Sequence, residues 1–492
     1  MILDDTIAAI STPAGEGGIG IVRLSGKDAV KISNRLFHSP KGKTLSASAS
    51  HRIIYGFIKD PATSEAVDEA LVSVMRAPNT YTREDIVEIN CHGGMSPLRD
   101  VLELAVKNGA RLAEPGEFTK RAFLNGRLDL SEAEAVLDLI RAKTDESHRI
   151  ALEQLRGKLS EKILNLREQL TNLCVFIEAY IDFPEEDIGL GSRKETIESA
   201  AAILKELELL LKSYDEGRFF REGLAATIVG KPNVGKSSLL NALLQKDRAI
   251  VTDTPGTTRD TIEEYLNING LPLRIIDTAG IREAHDMAEK EGVKRSISAM
   301  EDADLVIAVI DGSEPLKDED IEVIEKVKGK NTIIAINKSD LMQSGTTTPQ
   351  RDTNNNKNNP PSPPFSKGGM GGFSENSGIE SKLVSYNLHI LRISATRGDG
   401  LDELKDTIFN SCLKNWKEQR EGIIITNIRH KIAIQAAYDS LKEGINSIET
   451  GKPLEIIAIE FRDALDRLGE IVGAVTTDDI LNRIFSDFCI GK

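Results

Sequence analysis

Three observations predict a multidomain α/β chain. A phosphate-loop pattern, Gly230-Lys231-Pro232-Asn233-Val234-Gly235-Lys236-Ser237, stands between an apolar β-like run at 225–229 and a helix-like run at 238–244. Strand and helix patterns alternate across 217–412, as a mostly parallel sheet requires. Helix-period segments flank that region at 121–216 and 413–492. Since domain ends often lie close together, the two helical blocks are expected to form one discontinuous domain with the nucleotide-binding domain inserted.

In chain order, residues 1–120 predict an α+β domain. Runs at 6–10, 20–24, 52–58, 69–75 and 85–90 read as strands, and runs at 28–37 and 96–108 as helices. Ser131-Glu132-Ala133-Glu134 reads as a capping box opening the first helical block. Apolar residues then recur at helical spacing through Val136, Leu139, Ile140, Leu152, Leu155, Leu159, Ile163 and Leu166. Phe183-Pro184-Glu185-Glu186-Asp187 breaks the pattern, and a second helix starts near Lys194. Within 217–412, Asn269-Gly270 between two β-like runs signals a hairpin. Later strands are expected at 305–310, 332–336 and 390–393. The Asn-, Thr-, Pro- and Gly-rich stretch 344–377 carries little to bury and is expected to be a disordered insertion. The second helical block predicts helices at 427–449, 454–471 and 478–487.

Composition narrows the function classes. With 77 acidic and 62 basic residues the chain carries a net charge of −15, which argues against a general nucleic-acid coat. Aromatic residues are 4% of the chain, too few for base-stacking platforms to dominate. Cys91, Cys174, Cys412 and Cys489 show neither metal-ligand spacing nor a disulfide framework. No signal peptide and no apolar run of membrane-spanning length stand out, so no membrane role and a reducing cytoplasm are expected.

The motifs carry the chemistry. Backbone N–H groups from Asn233 to Ser238 can wrap phosphates at a helix N-terminus. Lys236 would reach the β- and γ-phosphates and the Ser237 hydroxyl would ligate Mg²⁺. Asp277-Thr278-Ala279-Gly280 ends a strand where its aspartate can hold Mg²⁺ through water and its glycine can meet the γ-phosphate. Asn337-Lys338-Ser339-Asp340 ends another, where a carboxylate can accept the ring N–H and exocyclic amine of guanine. Ser394-Ala395-Thr396 offers a backbone N–H to the guanine oxygen. In this order the motifs resemble those of the translation-factor-related small GTPases.

Hydrolysis needs a further device. Ras-like enzymes orient water with a glutamine after the Asp-x-x-Gly glycine, whereas Ile281 stands there and no arginine finger is evident. Asn233 with Thr252-Asp253-Thr254-Pro255-Gly256-Thr257-Thr258 offers an oxygen cage suited to K⁺. Asn233, Thr252, Thr254 and Thr257 are the candidate K⁺ ligands, and Thr258 would join Ser237 on Mg²⁺. The same loop also fits a merely flexible polar switch.

Four further stretches complete a resemblance covering essentially the whole chain outside 344–377. They are Asp5–Ala8, Gly17–Gly26, Pro115–Phe118 and Arg121–Asn125, with Phe488-Cys489-Ile490-Gly491-Lys492 closing the sequence. Together they resemble the tRNA uridine-modification GTPase family (MnmE, also called TrmE).

The resemblance implies a folate-binding-like N-terminal domain that dimerises, and G domains that pair when K⁺ and GTP are bound. It implies a heterotetramer with a FAD-dependent partner of the MnmG/GidA type. Together the two enzymes would place an aminomethyl-type group at C5 of the tRNA wobble uridine, using carbon from 5,10-methylenetetrahydrofolate. It carries the water-positioning acid to Glu289, with Glu283 and Glu291 as physical rivals, and folate contacts to Arg23, Glu88, Arg127 and Lys492. Cys489 is a candidate catalytic residue whose chemical role the family does not supply. A ribosome-assembly GTPase is the alternative, but it predicts an RNA-binding appendage, which the mostly acidic or neutral helical tail lacks. A membrane-remodelling GTPase is a third reading, but no basic amphipathic anchor in the sequence supports it.

Overall fold

The computed structural model of the protein describes residues 4–182, 193–247, 264–276, 300–341, 383, 386, 388–414, 416, 420 and 422–492. The break at 183–187, the insertion 344–377, the switch residues Thr252–Thr258, the motif Asp277–Gly280, Ile281 and Glu289 with its two rivals lie outside the described residues. Two compact units emerge, one built from 1–222 with the C-terminal 415–492, the other chiefly from 223–250 and 260–414.

The first unit opens with alternating strand patterns that bury one face. Its strands and first helices are β1 (Ile7–Ile10), β2 (Gly17–Ser25), α1 (Ala29–Leu36), β3 (Phe37–His38), β4 (Arg52–Lys59), β5 (Ala66–Met75), β6 (Ile86–Gly93), α2 (Met95–Lys107) and β7 (Arg111–Leu112). The strands form one sheet in the order β3-β4-β5-β6-β2-β1-β7, antiparallel except for the β1–β7 pair. Val22, Leu24, Val72, Val74, Val87 and Ile89 pack against Val30, Leu36, Leu98 and Val101 of α1 and α2. The five strands expected here are present, with ends shifted by up to three residues. The two that sequence patterning missed, β3 and β7, are two-residue strands at the sheet's edges, too short to show a period.

Helices follow: α3 (Glu117–Leu124), α4 (Leu130–Arg141), α5 (Asp145–Leu155), α6 (Lys158–Asp182) and α7 (Arg193–Glu222). The capping box at the start of α4 is not Ser131/Glu134. Asp129 is the N-cap, accepting from the Glu132 N–H at 2.8 Å while the Glu132 carboxylate accepts from the Asp129 N–H at 2.9 Å. Glu134 instead lies buried, accepting from Arg429, Asn427 and His430, a tertiary demand that local spacing could not reveal.

In the second unit, β8 (Leu224–Val229), α8 (Lys236–Asp247), β9 (Glu264–Ile268), β10 (Leu271–Ile275), β11 (Leu305–Asp311), α9 (Asp318–Val327), β12 (Thr332–Asn337), β13 (His389–Arg392) and α10 (Leu401–Cys412) follow one another. The sheet order is β13-β12-β11-β8-β10-β9, parallel except for the β9–β10 hairpin. Asn269 and Gly270 both take positive φ, 54° and 93°, giving the mirror-image turn that a tight hairpin requires.

The chain returns to the first unit as α11 (Ile428–Glu449), α12 (Leu454–Val472) and α13 (Asp478–Ser486), close to the expected bounds. Ile163, Leu166 and Leu170 of α6, Leu207 and Leu210 of α7, Leu441 of α11 and Phe461 and Leu468 of α12 share one core, so the two helical blocks are one domain. Where the chain leaves and re-enters this domain, Phe220 stacks on Trp416 with ring centroids 4.2 Å apart. Nearby, Gly217 lies so close to the Ile425 carbonyl that a Cβ there would overlap its oxygen. Among the described residues, no helix is long and apolar enough to cross a membrane.

Candidate functional site

The residues expected to bind nucleotide gather at the carboxyl ends of the parallel strands, where β8 separates connections to either side. The phosphate loop leaves β8, turns through Asn233 at φ 65° and Gly235 at φ 98°, and enters α8 at Lys236. A side chain at Gly235 would collide with the Asn337 amide, so the close approach requires glycine as much as the positive φ does. The Lys236 ammonium donates to the Gly230 and Lys231 carbonyls, both at 2.8 Å, and burial lowers its pKa. It is thus held above the loop that would receive the phosphates. Ser237 and Ser238 occupy the first turn of α8, with Val234 buried behind them.

The guanine-side residues converge on the same edge. Asn337 Nδ2 donates to the Val234 carbonyl at 2.8 Å, and Asn337 Oδ1 accepts from the Ala395 N–H at 3.0 Å. The Ser394 hydroxyl donates to Asp340 Oδ1 at 2.7 Å, and with it the Arg397 charge holds the Asp340 carboxyl below its ordinary range. Lys338, at φ 61°, pairs with Asp311 at 2.6 Å. The structure therefore brings together Asn233–Ser238, Asn337, Lys338, Asp340, Ser394 and Ala395. Sequence reasoning missed Asp311, and it missed Asp320, which binds Lys231 of the loop at 2.7 Å from a nearly buried position. Asp311 ends β11 and Asp320 stands in the first turn of α9, and only tertiary contact distinguishes either from a surface charge.

A second site lies in the first unit. Arg23 on β2 and Glu88 on β6 are cross-strand partners, and the Arg23 guanidinium donates to Glu88 Oε1 at 2.8 Å through Nε. The same guanidinium donates to the Gly491 carbonyl at 3.3 Å, bringing the end of the sequence onto the N-terminal sheet. That tail is stitched down by the Ser11 hydroxyl on the Gly491 carbonyl, the Phe118 N–H on the Lys492 carbonyl and a bridge between Pro115 and Ile490. Burial first, then the Arg23 charge, lowers the Lys492 pKa, while Glu88 and Cys489 pull the other way. Arg23, Glu88 and Cys489 are therefore all within electrostatic reach of Lys492. Cys489 is exposed, whereas Cys91 and Cys174 are buried.

Arg127 stands at the neighbouring turn, its guanidinium 4.6 Å from the Tyr81 ring centre and donating to the Tyr81 carbonyl at 3.2 Å. Tyr81 packs on the apolar cluster of Ile7, Ala9, Ala113 and Phe118, and Arg23 lies 5.6 Å from the Phe118 ring. Beneath this floor Arg121, 1% exposed, binds Asp5, Glu84 and Glu117. Three basic groups (Arg23, Arg127 and Lys492), a carboxylate and an aromatic floor suit a ligand with an N–H-rich ring edge and an acidic tail.

The comparisons bear on both sites. Residues 130–489 match the family model described as the MnmE helical domain, and residues 6–127 match the one described as the GTP-binding protein TrmE N-terminus. A curated protein of Alkaliphilus oremlandii, named tRNA modification GTPase MnmE, is 46% identical over the whole of both chains. Proteins of the same name from Thermoanaerobacter pseudethanolicus and Desulforamulus reducens are 47% and 46% identical, covering 99% and 100% of this chain and the same shares of their own.

Proposed function

The chain belongs to the family of MnmE tRNA modification GTPases, and from that membership we propose a dimeric, K⁺-activated GTPase that works in the cytoplasm with a FAD-dependent partner. It is a GTP hydrolase acting in tRNA modification. The pair attaches an aminomethyl-type group at C5 of the wobble uridine. The observation that carries this reading is the Arg23 guanidinium joining Glu88 to Gly491, since it gathers the residues expected to hold a folate.

Each group has a task in this reading. Lys236 and the α8 N-terminus bind the GTP phosphates, Ser237 and Thr258 hold Mg²⁺, and Asp340 selects guanine. Asn233 and the Thr252–Thr257 segment would hold K⁺, whose charge would take the place of an arginine finger, and Glu289 would position the water. Glu88 accepts N–H donors from the pterin edge, while Arg23, Arg127 and Lys492 meet the acidic parts of the ligand. Methylenetetrahydrofolate, when bound, would supply the one-carbon unit, and the exposed Cys489 is a candidate catalytic residue there.

The test is mass analysis of wobble uridines in tRNA from a deletion strain. The modified nucleoside should vanish and return with the wild-type gene. Glu88→Gln should fail to restore it while hydrolysing GTP at the wild-type rate. Unchanged tRNA nucleosides in the deletion strain would refute the reading and favour a ribosome-assembly role.

A further inference from the structure

We propose that Tyr81 is a positioning residue for Arg127, fixing its guanidinium so that it grips the acidic tail of the folate. The proposal rests on the folate reading above and adds a residue and a ligand end to it.

The geometry is specific on three sides. The Arg127 guanidinium lies over the Tyr81 ring at 4.6 Å and donates to the carbonyl of the same residue at 3.2 Å. Ring and carbonyl together define the plane and the edge of the guanidinium, where a lone ring would define only its plane. Tyr81 is itself immobilised, because its hydroxyl shares a hydrogen bond of 2.9 Å with Thr119 and its ring packs on the Ile7, Ala9, Ala113 and Phe118 cluster. Its chain segment is locked as well. Asn125 Nδ2 donates to the Thr82 carbonyl at 2.6 Å, and Arg83 donates to the Asn125 carbonyl at 2.9 Å. These two bonds clamp the loop bearing Tyr81 to the turn bearing Arg127.

The charge arrangement indicates what the guanidinium is for. Arg23 is already paired with Glu88, but among the described residues Arg127 has no carboxylate within ion-pair distance. A guanidinium oriented by a ring and a carbonyl keeps its remaining N–H groups for an incoming anion. Tyr81 lies within electrostatic reach of both Arg23 and Arg127, so the two guanidinium groups flank the same ring. With Glu88 suited to the pterin edge, the carboxylates of the glutamate tail are the matching anion.

Binding of 5-formyltetrahydrofolate, an air-stable reduced folate, by the full-length protein tests this, with 5-formyltetrahydropteroate as the analogue lacking the glutamate. Tyr81→Leu, Arg127→Gln and Arg127→Lys should each weaken the first ligand about five- to tenfold and leave the second within twofold. Tyr81→Phe, which keeps the ring, should stay within twofold for both. The Tyr81→Leu/Arg127→Gln double variant should bind no worse than the weaker single variant. A wild-type thermal melting profile of each variant confirms folding, and Arg127→Lys leaves the core under Tyr81 untouched if Tyr81→Leu fails to fold. Multiplying losses in the double variant, equal losses for both ligands, or wild-type affinity in Arg127→Lys would each overturn the proposal while leaving the folate site standing. A wild-type protein that binds neither ligand overturns both.

Discussion

Asn337 holds two loops of the nucleotide site at once, donating through Nδ2 to the Val234 carbonyl at 2.8 Å and accepting at Oδ1 from the Ala395 N–H at 3.0 Å. The side chain is buried, so neither bond can be replaced by bulk water. Asn337→Ala should weaken GDP and GTP binding by about 10²-fold, corresponding to roughly 3 kcal/mol for two lost bonds and the partners left unpaired. Gly235→Ala should weaken binding as much by displacing the same amide. Titration with a fluorescent guanine nucleotide checks both, and a loss below threefold in either would refute the tie.

Asp340 is the residue proposed to set the base preference. Its carboxylate accepts from Ser394 and leaves acceptor capacity for a purine edge. Asp340→Asn should lower GTP affinity and raise XTP affinity, because the amide donates where the carboxylate accepted. Competition between the two nucleotides gives the answer, and unchanged relative affinities would remove Asp340 from base selection.

Hydrolysis should be much faster in KCl than in NaCl at equal ionic strength, since Asn233 adopts the left-handed turn of a loop that has oxygen-bearing neighbours in sequence. Glu289→Ala should keep nucleotide affinity and lose about 10²–10³ in turnover, the usual cost of one transition-state contact. Equal rates in both salts would defeat the cation role. Greater losses in Glu283→Ala or Glu291→Ala would reassign the acid.

Acid should loosen the α+β part of the first unit through Glu117. Burial alone would raise its carboxyl, but Arg111, the Glu114 N–H and Arg121 outweigh burial and hold it below the ordinary 4.5. A depressed folded value means that Glu117 contributes stability above about pH 4.5, lost as pH falls through the lowered value. Glu117→Gln should be destabilised by about 3 kcal/mol at pH 7, as expected when a buried pair loses one partner. The gap should narrow by pH 3. Urea melts at the two pH values decide it, and a gap of constant size would mean that the charge is not responsible.

The sequence made the phosphate loop, the guanine motif and most helices legible because each has a local signature: glycine spacing, a strand-end tetrapeptide, a 3.6-residue period. Interactions satisfied at a distance were not legible. Ser131 and Glu134 match a capping box in spacing, yet Asp129 and Glu132 form it, because Glu134 is engaged by His430 almost 300 residues away. Arg121 read only as part of a family motif, and its 1% exposure among three carboxylates depends on the placement of α3. Composition likewise could not disclose the Gly491 carbonyl as a partner for Arg23, since that bond exists only once both ends of the chain have folded together.

The face-to-face contact of Phe220 and Trp416 makes the chain between them behave like a detachable cartridge. Residues close to both ends of 223–414 touch through these rings, so a splice replacing that stretch joins parts of the chain already in side-chain contact. A few glycines suffice, and the remainder keeps every residue of the Arg23–Glu88–Lys492 pocket. The same socket would accept any foreign domain whose termini lie equally close, which makes this junction the natural place to graft a reporter or exchange one catalytic cassette for another.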